Sequence, residues 1–213
     1  SALLFMAPLI GEKVEIEVRD GLVSQPLVNT TIEVMRQAGI AVEAADDLLY
    51  FSIEGGQAYR AGEFSVNGDY PSSAALLAAG AVAGGDFYLN RLFVDSQGER
   101  AVLPLLREMG CDVDHDGKSV HLRGDGGLRG VQFDGDRATD AVLAMVAAAA
   151  LAEGESRFYG IGNLRLKECD RISVPVRLLQ RIGVDCEERE SEIIVRGNPE
   201  GYEGGIAVET HHD

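Results

Sequence analysis

Three almost wholly apolar stretches recur along the chain, and each is followed by the same series of shorter patterns. They cover residues 2–10, 74–83 and 141–152. After each comes a strand-like segment, then an amphipathic segment with apolar residues at helical spacing, and then two further extended segments. The pattern therefore predicts one α/β unit that occurs three times.

The amphipathic segments end in a similar way in all three repeats. Their sequences MRQAGIAV, LREMGCDV and LQRIGVDC contain Gly39, Gly110 and Gly183. Glycine is favoured just past the end of a helix because it adopts positive φ without steric cost. The spacings of 71 residues (39 to 110) and 73 residues (110 to 183) give the length of the repeat.

The apolar segments also indicate how the units pack. A helix at a protein surface needs only one apolar stripe, so a helix that is apolar all round is expected to be enclosed. We predict that residues 74–83 and 141–152 are buried parallel helices surrounded by sheets and amphipathic helices. The fold class is then α/β, an inside-out α/β barrel of repeated βαβαββ units. In the sequence GDYPSSA, we expect Ser72 or Ser73 to cap the helix that follows.

Composition narrows the function classes. The 213 residues are 46% hydrophobic, enough for one large domain or two modest ones. With 35 acidic and 19 basic residues the net charge is −16, which disfavours binding to nucleic acid or an anionic membrane. No apolar stretch reaches the roughly 20 residues of a membrane-spanning helix. We expect a soluble, cytoplasmic protein.

Cysteine and histidine do not indicate a metal site. The three cysteines are too widely spaced for a disulfide framework or a C-x-x-C motif; they are Cys111, Cys169 and Cys186. His211 and His212 are adjacent, and neighbouring residues of a strand point to opposite faces. We therefore expect no metal.

Residues 163–171, NLRLKECDR, concentrate charge in this acidic chain. They include three cations, two carboxylates and an amide, a combination suited to binding a small anion. Lys167, Glu168 and Arg171 have the spacing of one side of a helical turn, with Cys169 facing elsewhere. Pro175 also allows this segment to be a loop. The alternative without a function is an exposed Glu–Arg pair.

Several segments together resemble the 5-enolpyruvylshikimate-3-phosphate synthase (3-phosphoshikimate 1-carboxyvinyltransferase) family. The specific one is LR-x-KE-x-DR, and the supporting ones are FDGDRATDAVLAMVAAAALAEGES, GDYPSSAALLAAGAVAGG, SALLFMAPL and LVSQP. The closing ETHHD resembles the start of the family's Asp-His-Arg motif. The resemblance covers the whole chain and implies a piece of a longer protein. Residues 1–66 would be the C-terminal part of the family's second domain, and 67–213 most of the other domain, cut at its C-terminus.

The resemblance also implies a reaction. The family transfers the enolpyruvyl group of phosphoenolpyruvate to the 5-hydroxyl of shikimate 3-phosphate and releases phosphate, through a tetrahedral intermediate. It implies a monomeric enzyme without a cofactor, whose partners are these two small anions. Because the family's active site lies between two domains, we expect the chain alone to be inactive.

The catalytic residues implied by the resemblance are two carboxylates. Asp140 would take the proton of the 5-hydroxyl, and Glu168 would take part in proton transfer at the methylene carbon. Asp140 also opens an Ala-rich helix, so local pattern alone favours a capping role. A catalytic acid at Glu168 needs a raised pKa, which the neighbouring cations oppose.

The implied substrate-binding residues are Asp140 and four others. Lys167 would contact the shikimate substrate and Arg171 would hold phosphoenolpyruvate. Asn163 would bind a substrate hydroxyl, although a turn residue is the local alternative. Ser24, also a candidate helix cap, would bind the phosphate of the shikimate substrate.

Two other functions remain open at this stage. The enolpyruvyl transferase that acts on UDP-N-acetylglucosamine shares the fold and chemistry, but it lacks LR-x-KE-x-DR and uses a loop cysteine as general acid. A non-catalytic repeat domain that binds an anionic partner through its basic cluster is the alternative from another class.

Overall fold

The computed structural model describes residues 1–209, and the chain divides into two compact units. The first is Ser1–Val66 with Asp95–Gly98, and the second is Asn67–Val94 with Glu99–Asp213. The main division thus falls between residues 66 and 67, and the short segment 95–98 belongs to the first unit. The expectations for His211 and His212, and for the Asp-His-Arg motif, lie outside the described residues.

The first unit contains one repeat with its own apolar core. Its elements, in chain order, are α1 (Ala2–Met6) with a 3₁₀ turn (Ala7–Leu9), β1 (Val14–Glu17), α2 (Gln25–Gln37), β2 (Glu43–Ala44) and β3 (Tyr50–Ile53). Leu4 of α1, Ile32 and Met35 of α2, and Phe51 and Ile53 of β3 are buried together.

The second unit contains two repeats around a larger core. The first of them comprises α3 (Tyr70–Ala83), β4 (Gly85–Asn90), a 3₁₀ turn (Gly98–Ala101) whose first residue is counted with the first unit, α4 (Val102–Glu108), β5 (Asp112–His115) and β6 (Ser119–Gly124). The other comprises β7 (Gln132–Asp134), a 3₁₀ turn (Gly135–Ala138), α5 (Val142–Ala149), β8 (Gly154–Tyr159), a 3₁₀ turn (Gly162–Leu166), α6 (Ser173–Arg181), β9 (Asp185–Arg189) and β10 (Glu192–Gly197).

The three sheets have the same topology, which is the clearest sign of the repeat. Their strand orders are β1-β3-β2, β4-β6-β5 and β7-β8-β10-β9. In each sheet, the last strand of the repeat lies between two antiparallel partners. One is the strand that follows the apolar helix, and the other is the strand that directly precedes the last one in the chain. The additional strand β7 pairs parallel with β8, so the last repeat has the full βαβαββ order.

The glycines predicted to close the amphipathic helices do so. Gly39, Gly110 and Gly183 have φ values of 83°, 113° and 94°. After α2, the N–H of Gly39 donates to the carbonyl of Arg36, and that of Ile40 to the carbonyl of Met35. The other two helices end with the same pair of bonds, which defines the Schellman motif.

The two apolar helices of the second unit differ in burial. In α5, five of the eight residues are buried, whereas Ala147 is exposed and Leu143 and Ala144 on the same side are partly exposed. In α3, Leu76 is 60% exposed, and Ala75, Ala79 and Ala83 on the same face are exposed as well. The prediction that residues 74–83 are buried on every face is therefore wrong. The all-apolar sequence does not reveal that only one side of α3 packs on α5 and its own sheet.

No helix within residues 1–209 is both long enough and apolar enough to cross a membrane.

Candidate functional site

Asp140 lies in the turn before α5, and its carboxylate binds two cations from the loop before α6. Lys167 Nζ and Arg171 Nη1 each donate to Asp140 Oδ1, at 3.1 Å in both cases. The three side chains are between 18% and 30% exposed. Their charges are therefore screened less than those of fully exposed pairs.

Asp140 does not cap the helix that it precedes. The residue at the N-terminal boundary of α5 is Ala141, and no side chain caps the helix. The capping role favoured by local sequence is therefore not seen, and the carboxylate is directed to the two cations instead.

Arg171 links Asp140 to a second carboxylate. Its Nη2 atom lies 3.0 Å from Glu168 Oε2, and the Glu168 side chain is 63% exposed. Two cations and two carboxylates therefore form one connected group with no net charge. An exposed pair such as Arg171–Glu168 contributes about 1 kcal/mol or less to stability.

The segment with Lys167 and Arg171 is a loop. The preceding 3₁₀ turn ends at Leu166, Lys167 is extended with φ −80° and ψ −167°, and α6 begins at Ser173. The prediction of a helical turn is wrong. The segment forms a loop, which is the alternative that Pro175 allowed. Cys169 does not face elsewhere, because it lines the same cavity as Asp140 and Arg171.

That cavity has a volume of about 570 Å³ and lies beside α5 and α6. Asp140, Arg171 and Glu209 contribute charged groups to its wall. The apolar part of the wall comes largely from the two helices, through Leu143, Val146, Ala147, Val174, Leu178 and Leu179.

Asp170 orders the loop from within. Burial alone raises the pKa of Asp170, but hydrogen bonds from the N–H groups of Ser173 and Ile172 and from the Arg165 side chain outweigh it. Together they hold this pKa at about 2. Asp170 is therefore ionised at any physiological pH and serves as a fixed acceptor.

Asn163 lies in the 3₁₀ turn before the loop. Its Oδ1 atom is buried and accepts no hydrogen bond from the described part of the chain. A buried acceptor without a donor costs about 1–3 kcal/mol. It makes no hydrogen bond to the Asp140 group, whereas salt bridges link the other four candidates in this unit.

Ser24 belongs to the first unit. It stands just before α2 with φ 55° and ψ 47°, and its side chain does not cap that helix. Positive φ in a non-glycine residue is uncommon and marks a locally constrained backbone. Its predicted contact with a phosphate remains a prediction.

Glu99 is a residue that the sequence did not single out. It lies in the 3₁₀ turn before α4 and is only 4% exposed. Burial raises the pKa of Glu99, and the negative charges of Asp140 and Asp69 act in the same direction. The N–H groups of Glu99 and Asp140 have the opposite, smaller effect. One acid in the polar sequence SQGER gives no sign that it is buried beside Asp140.

Within residues 1–209, no group of three or more His, Cys, Asp or Glu side chains is arranged to hold a metal ion.

The amino-acid sequence of the chain matches a known protein family. A sequence model of the family described as EPSP synthase (3-phosphoshikimate 1-carboxyvinyltransferase) matches residues 1–213. The chain belongs to the EPSP synthase family. The resemblance carried by LR-x-KE-x-DR is thus confirmed, and the family is one of transferases.

Curated EPSP synthases from bacteria and archaea are similar over the full chain. The 3-phosphoshikimate 1-carboxyvinyltransferase of Deinococcus radiodurans is 41% identical over 214 residues, which is 100% of this chain and 48% of that protein. The protein of the same name from Burkholderia pseudomallei is 38% identical, again over 48% of its length. That of Methanocaldococcus jannaschii is 30% identical over 49% of its length. The chain therefore spans about half the length of the curated relatives it matches.

Solved structures agree on the fold. An EPSP synthase from Acinetobacter baumannii matches with a TM-score of 0.75 and 24% identity, over 100% of this chain and 50% of that one. The enolpyruvyl transferase NikO from Streptomyces tendae matches with a TM-score of 0.67 and 20% identity, over 92% of this chain and 45% of that one. At these identities, both likenesses concern the fold alone.

Proposed function

We propose that this chain is part of an enzyme that transfers the enolpyruvyl group of phosphoenolpyruvate to the 5-hydroxyl of shikimate 3-phosphate. The observation that carries the proposal is the contact of Lys167 and Arg171 with Asp140. These residues lie in two of the segments by which the chain resembles its family. Both substrates are anions, and Arg and Lys bind phosphate and carboxylate groups through charge-assisted hydrogen bonds.

Asp140 is the proposed base. It would accept the proton of the 5-hydroxyl while the oxygen bonds to the enol carbon of phosphoenolpyruvate, and Glu168, in its protonated form, would supply a proton to the methylene carbon. The tetrahedral intermediate then loses phosphate while the Glu168 carboxylate takes back one proton from that methyl carbon, which restores the double bond. Each carboxylate contacts Arg171, so one guanidinium fixes both.

Substrate binding would rearrange the charges of this group. Lys167 and Arg171 are neutralised by Asp140 and Glu168 before a ligand arrives. A phosphate or carboxylate would compete for the same donors and replace part of these contacts. Asp140 would then be released from Lys167 or Arg171, and its carboxylate could contact the 5-hydroxyl instead.

Asn163 and Ser24 complete the proposed binding residues. The buried Oδ1 atom of Asn163 has no donor within residues 1–209, which suits a hydroxyl of the shikimate ring. Ser24, which directly precedes α2, would bind its phosphate.

The finer features of the family are part of the same proposal. We infer that the two units belong to two domains of a longer protein, 1–66 to one and 67–213 to the other. In each, three repeats would form an inside-out barrel around parallel helices. We also propose a monomeric cytoplasmic enzyme that needs no cofactor and has no nucleic-acid or membrane partner.

A chimera tests the proposal. In it, this chain replaces the matching segment of the Deinococcus radiodurans relative, to which it is 41% identical. We expect phosphate release from phosphoenolpyruvate that depends on shikimate 3-phosphate and is lost in Asp140→Asn and Lys167→Met. The matched control is Lys118→Met, at an exposed lysine outside the group. A folded chimera whose turnover is indifferent to Asp140 and Lys167 would contradict the assignment.

A further inference from the structure

Arg165 lies two residues before Lys167, yet its side chain turns away from Asp140 to the hairpin of β9 and β10. Nε donates to the carbonyl of Glu190 at 2.9 Å, and Nη2 donates to the carbonyl of Arg189 at 2.6 Å. The carboxylate of Glu188 accepts from both Nη atoms at 3.2 Å. The Arg165 side chain is 27% exposed. It therefore anchors the start of the loop to the sheet.

Asp170 anchors the other end of the loop. Its Oδ1 accepts from the N–H groups of Ile172 and Ser173, both at 3.0 Å, and so caps the start of α6. Its Oδ2 accepts from Arg165 Nη1 at 2.9 Å. Ser173 Oγ also accepts from Arg165 Nη1 and donates to Glu188. The two ends of the segment 165–170 are thus joined side chain to side chain.

The closed loop holds the cations of the proposed site. Lys167 and Glu168 lie between the anchored residues, and Arg171 follows directly, with its N–H bonded to the carbonyl of Leu164. Neither Lys167 nor Arg171 stands on a regular helix or strand. Their positions therefore depend on how the loop is closed.

We propose that Arg165 and Asp170 form a clamp that positions Lys167 and Arg171 against Asp140. They are positioning residues, because they act through the loop and contact neither reacting group. The proposal rests on the proposed function only for the identity of the anion. Of the three cations in the segment NLRLKECDR, Arg165 is then assigned to the clamp and not to the anion. Its N–H groups donate to the hairpin and to Asp170.

The chemistry of the clamp explains its residue types. The fork of Arg165 reaches two carbonyls and two carboxylates at once, whereas a lysine is a single point charge that cannot span them. Asp170 combines a capping acceptor with a negative charge. An asparagine retains an acceptor suited to capping but loses the ion pair.

These differences define the variants to test. Arg165→Lys keeps the positive charge but loses the planar guanidinium group. Asp170→Asn keeps the oxygen that caps α6 but loses the ion pair with Arg165. Arg177→Gln, at an exposed arginine of α6, is the matched control. If Asp170 merely caps α6, Asp170→Asn should behave like the control.

The thiol of Cys169, inside the clamped loop, reports directly on its closure. Cys111 and Cys186 are buried, and Cys169 is partly exposed. In the full 213-residue chain, we expect Arg165→Lys and Asp170→Asn to accelerate the reaction of Cys169 with dithionitrobenzoate by about tenfold. That factor corresponds to one lost charge-assisted hydrogen bond. Arg177→Gln should leave the rate unchanged. Unchanged rates in both clamp variants would overturn the proposal.

Affinity for shikimate 3-phosphate, measured by calorimetry on the same variants, separates positioning from mere loop stability. We expect both clamp variants to weaken binding by about tenfold while they remain folded, with a melting temperature only about 2–4 °C lower, and the control to bind normally. Faster thiol reaction with unchanged affinity would contradict a positioning role. If the unaltered chain shows no binding, the proposed function of the chain fails, and the thiol rates still decide whether the clamp exists.

Discussion

Asp140 and Lys167 are 27 residues apart in sequence, yet their side chains form a 3.1 Å salt bridge. The turn before α5 and the loop before α6 therefore meet at one point of the second unit. Arg171 binds the same oxygen of Asp140. The proposed base thus occupies the donors that an anionic ligand would use.

This competition predicts opposite effects of two substitutions on anion affinity. Asp140→Asn should bind inorganic phosphate several-fold more tightly than the unaltered chain, because Lys167 and Arg171 lose a competing negative charge. Lys167→Met should bind it more weakly by a similar factor. Titration followed by ³¹P NMR measures both, with Lys118→Met as control. Weaker binding in Asp140→Asn would show that the carboxylate does not compete with the anion.

A second prediction concerns acid stability. Hydrogen bonds lower the pKa of Asp170 from 3.8 to about 2, against the effect of burial. Its stabilising contribution is therefore fully present above pH 3.8 and is lost as the pH falls through about 2. Asp170→Asn should reduce the free energy of unfolding at pH 7 by about 1 kcal/mol, a value discounted for partial exposure. The difference from the unaltered chain should disappear towards pH 2, as measured by urea unfolding. A constant difference from pH 7 to pH 2 would contradict this linkage.

A third prediction concerns Glu99, whose pKa is shifted in the opposite direction to that of Asp170. Burial raises the pKa of Glu99 above its ordinary 4.5, so its contribution is fully present below pH 4.5 and is lost as the pH rises through the raised pKa. Glu99→Gln should therefore increase the free energy of unfolding at pH 7, by about 1 kcal/mol, and have little effect at pH 4. Glu108→Gln, at an exposed glutamate, is the control. Destabilisation at pH 7 would mean that the hydrogen bond from Asp140 N–H outweighs the burial cost.

A fourth prediction concerns the turn that leads to Asp140. A Cβ atom at Gly135 would overlap the buried side chains of Ile161 and Val142. Gly135→Ala should therefore lower the free energy of unfolding by about 1–3 kcal/mol, the usual cost of overpacking. Gly204→Ala should be nearly neutral because nothing lies within 4 Å of its Cβ position. Equal effects in urea unfolding would show that the turn adapts to the extra methyl group.

A fifth prediction concerns turnover. The 213-residue chain alone should release no phosphate from phosphoenolpyruvate and shikimate 3-phosphate, since it spans about half the length of its relatives. Catalysis of this type needs both anions to be oriented and shielded from water. A colorimetric phosphate assay measures this. Turnover by the chain alone that is abolished by Asp140→Ala would contradict the prediction.

The repeat was predictable from sequence because its signals are local. A glycine with positive φ, such as Gly39 or Gly110, ends each amphipathic helix whatever the surroundings. The alternation of apolar helix and strand is likewise encoded within each segment. The family was recognisable for a similar reason, since LR-x-KE-x-DR is one continuous motif.

Two predictions failed because the structure depends on partners that are distant in sequence. The spacing of Lys167 and Arg171 suggested a helical turn, but Arg165 binds the carbonyls of Arg189 and Glu190, 24 and 25 residues later, and the segment forms a loop. The exposed face of α3 depends on which elements pack against it, which its apolar sequence does not specify.

One cap was misassigned for a local reason. We expected Ser72 or Ser73 to cap α3, but the cap is Asp69, which accepts from the N–H of Ser72 at 2.9 Å. The helix begins a turn earlier because Pro71 fits the first turn, where its missing N–H is not needed.

The central claim is that Asp140, Asn163, Lys167 and Arg171 bind shikimate 3-phosphate. Titration of the ¹⁵N-labelled chain with this compound, followed by amide chemical shifts, tests it most directly. The account predicts concentration-dependent shifts that are largest at these residues and in the segment 163–173, and that are much reduced in Lys167→Met. Saturating shifts confined to other parts of the chain, or no shifts at millimolar ligand, would contradict it.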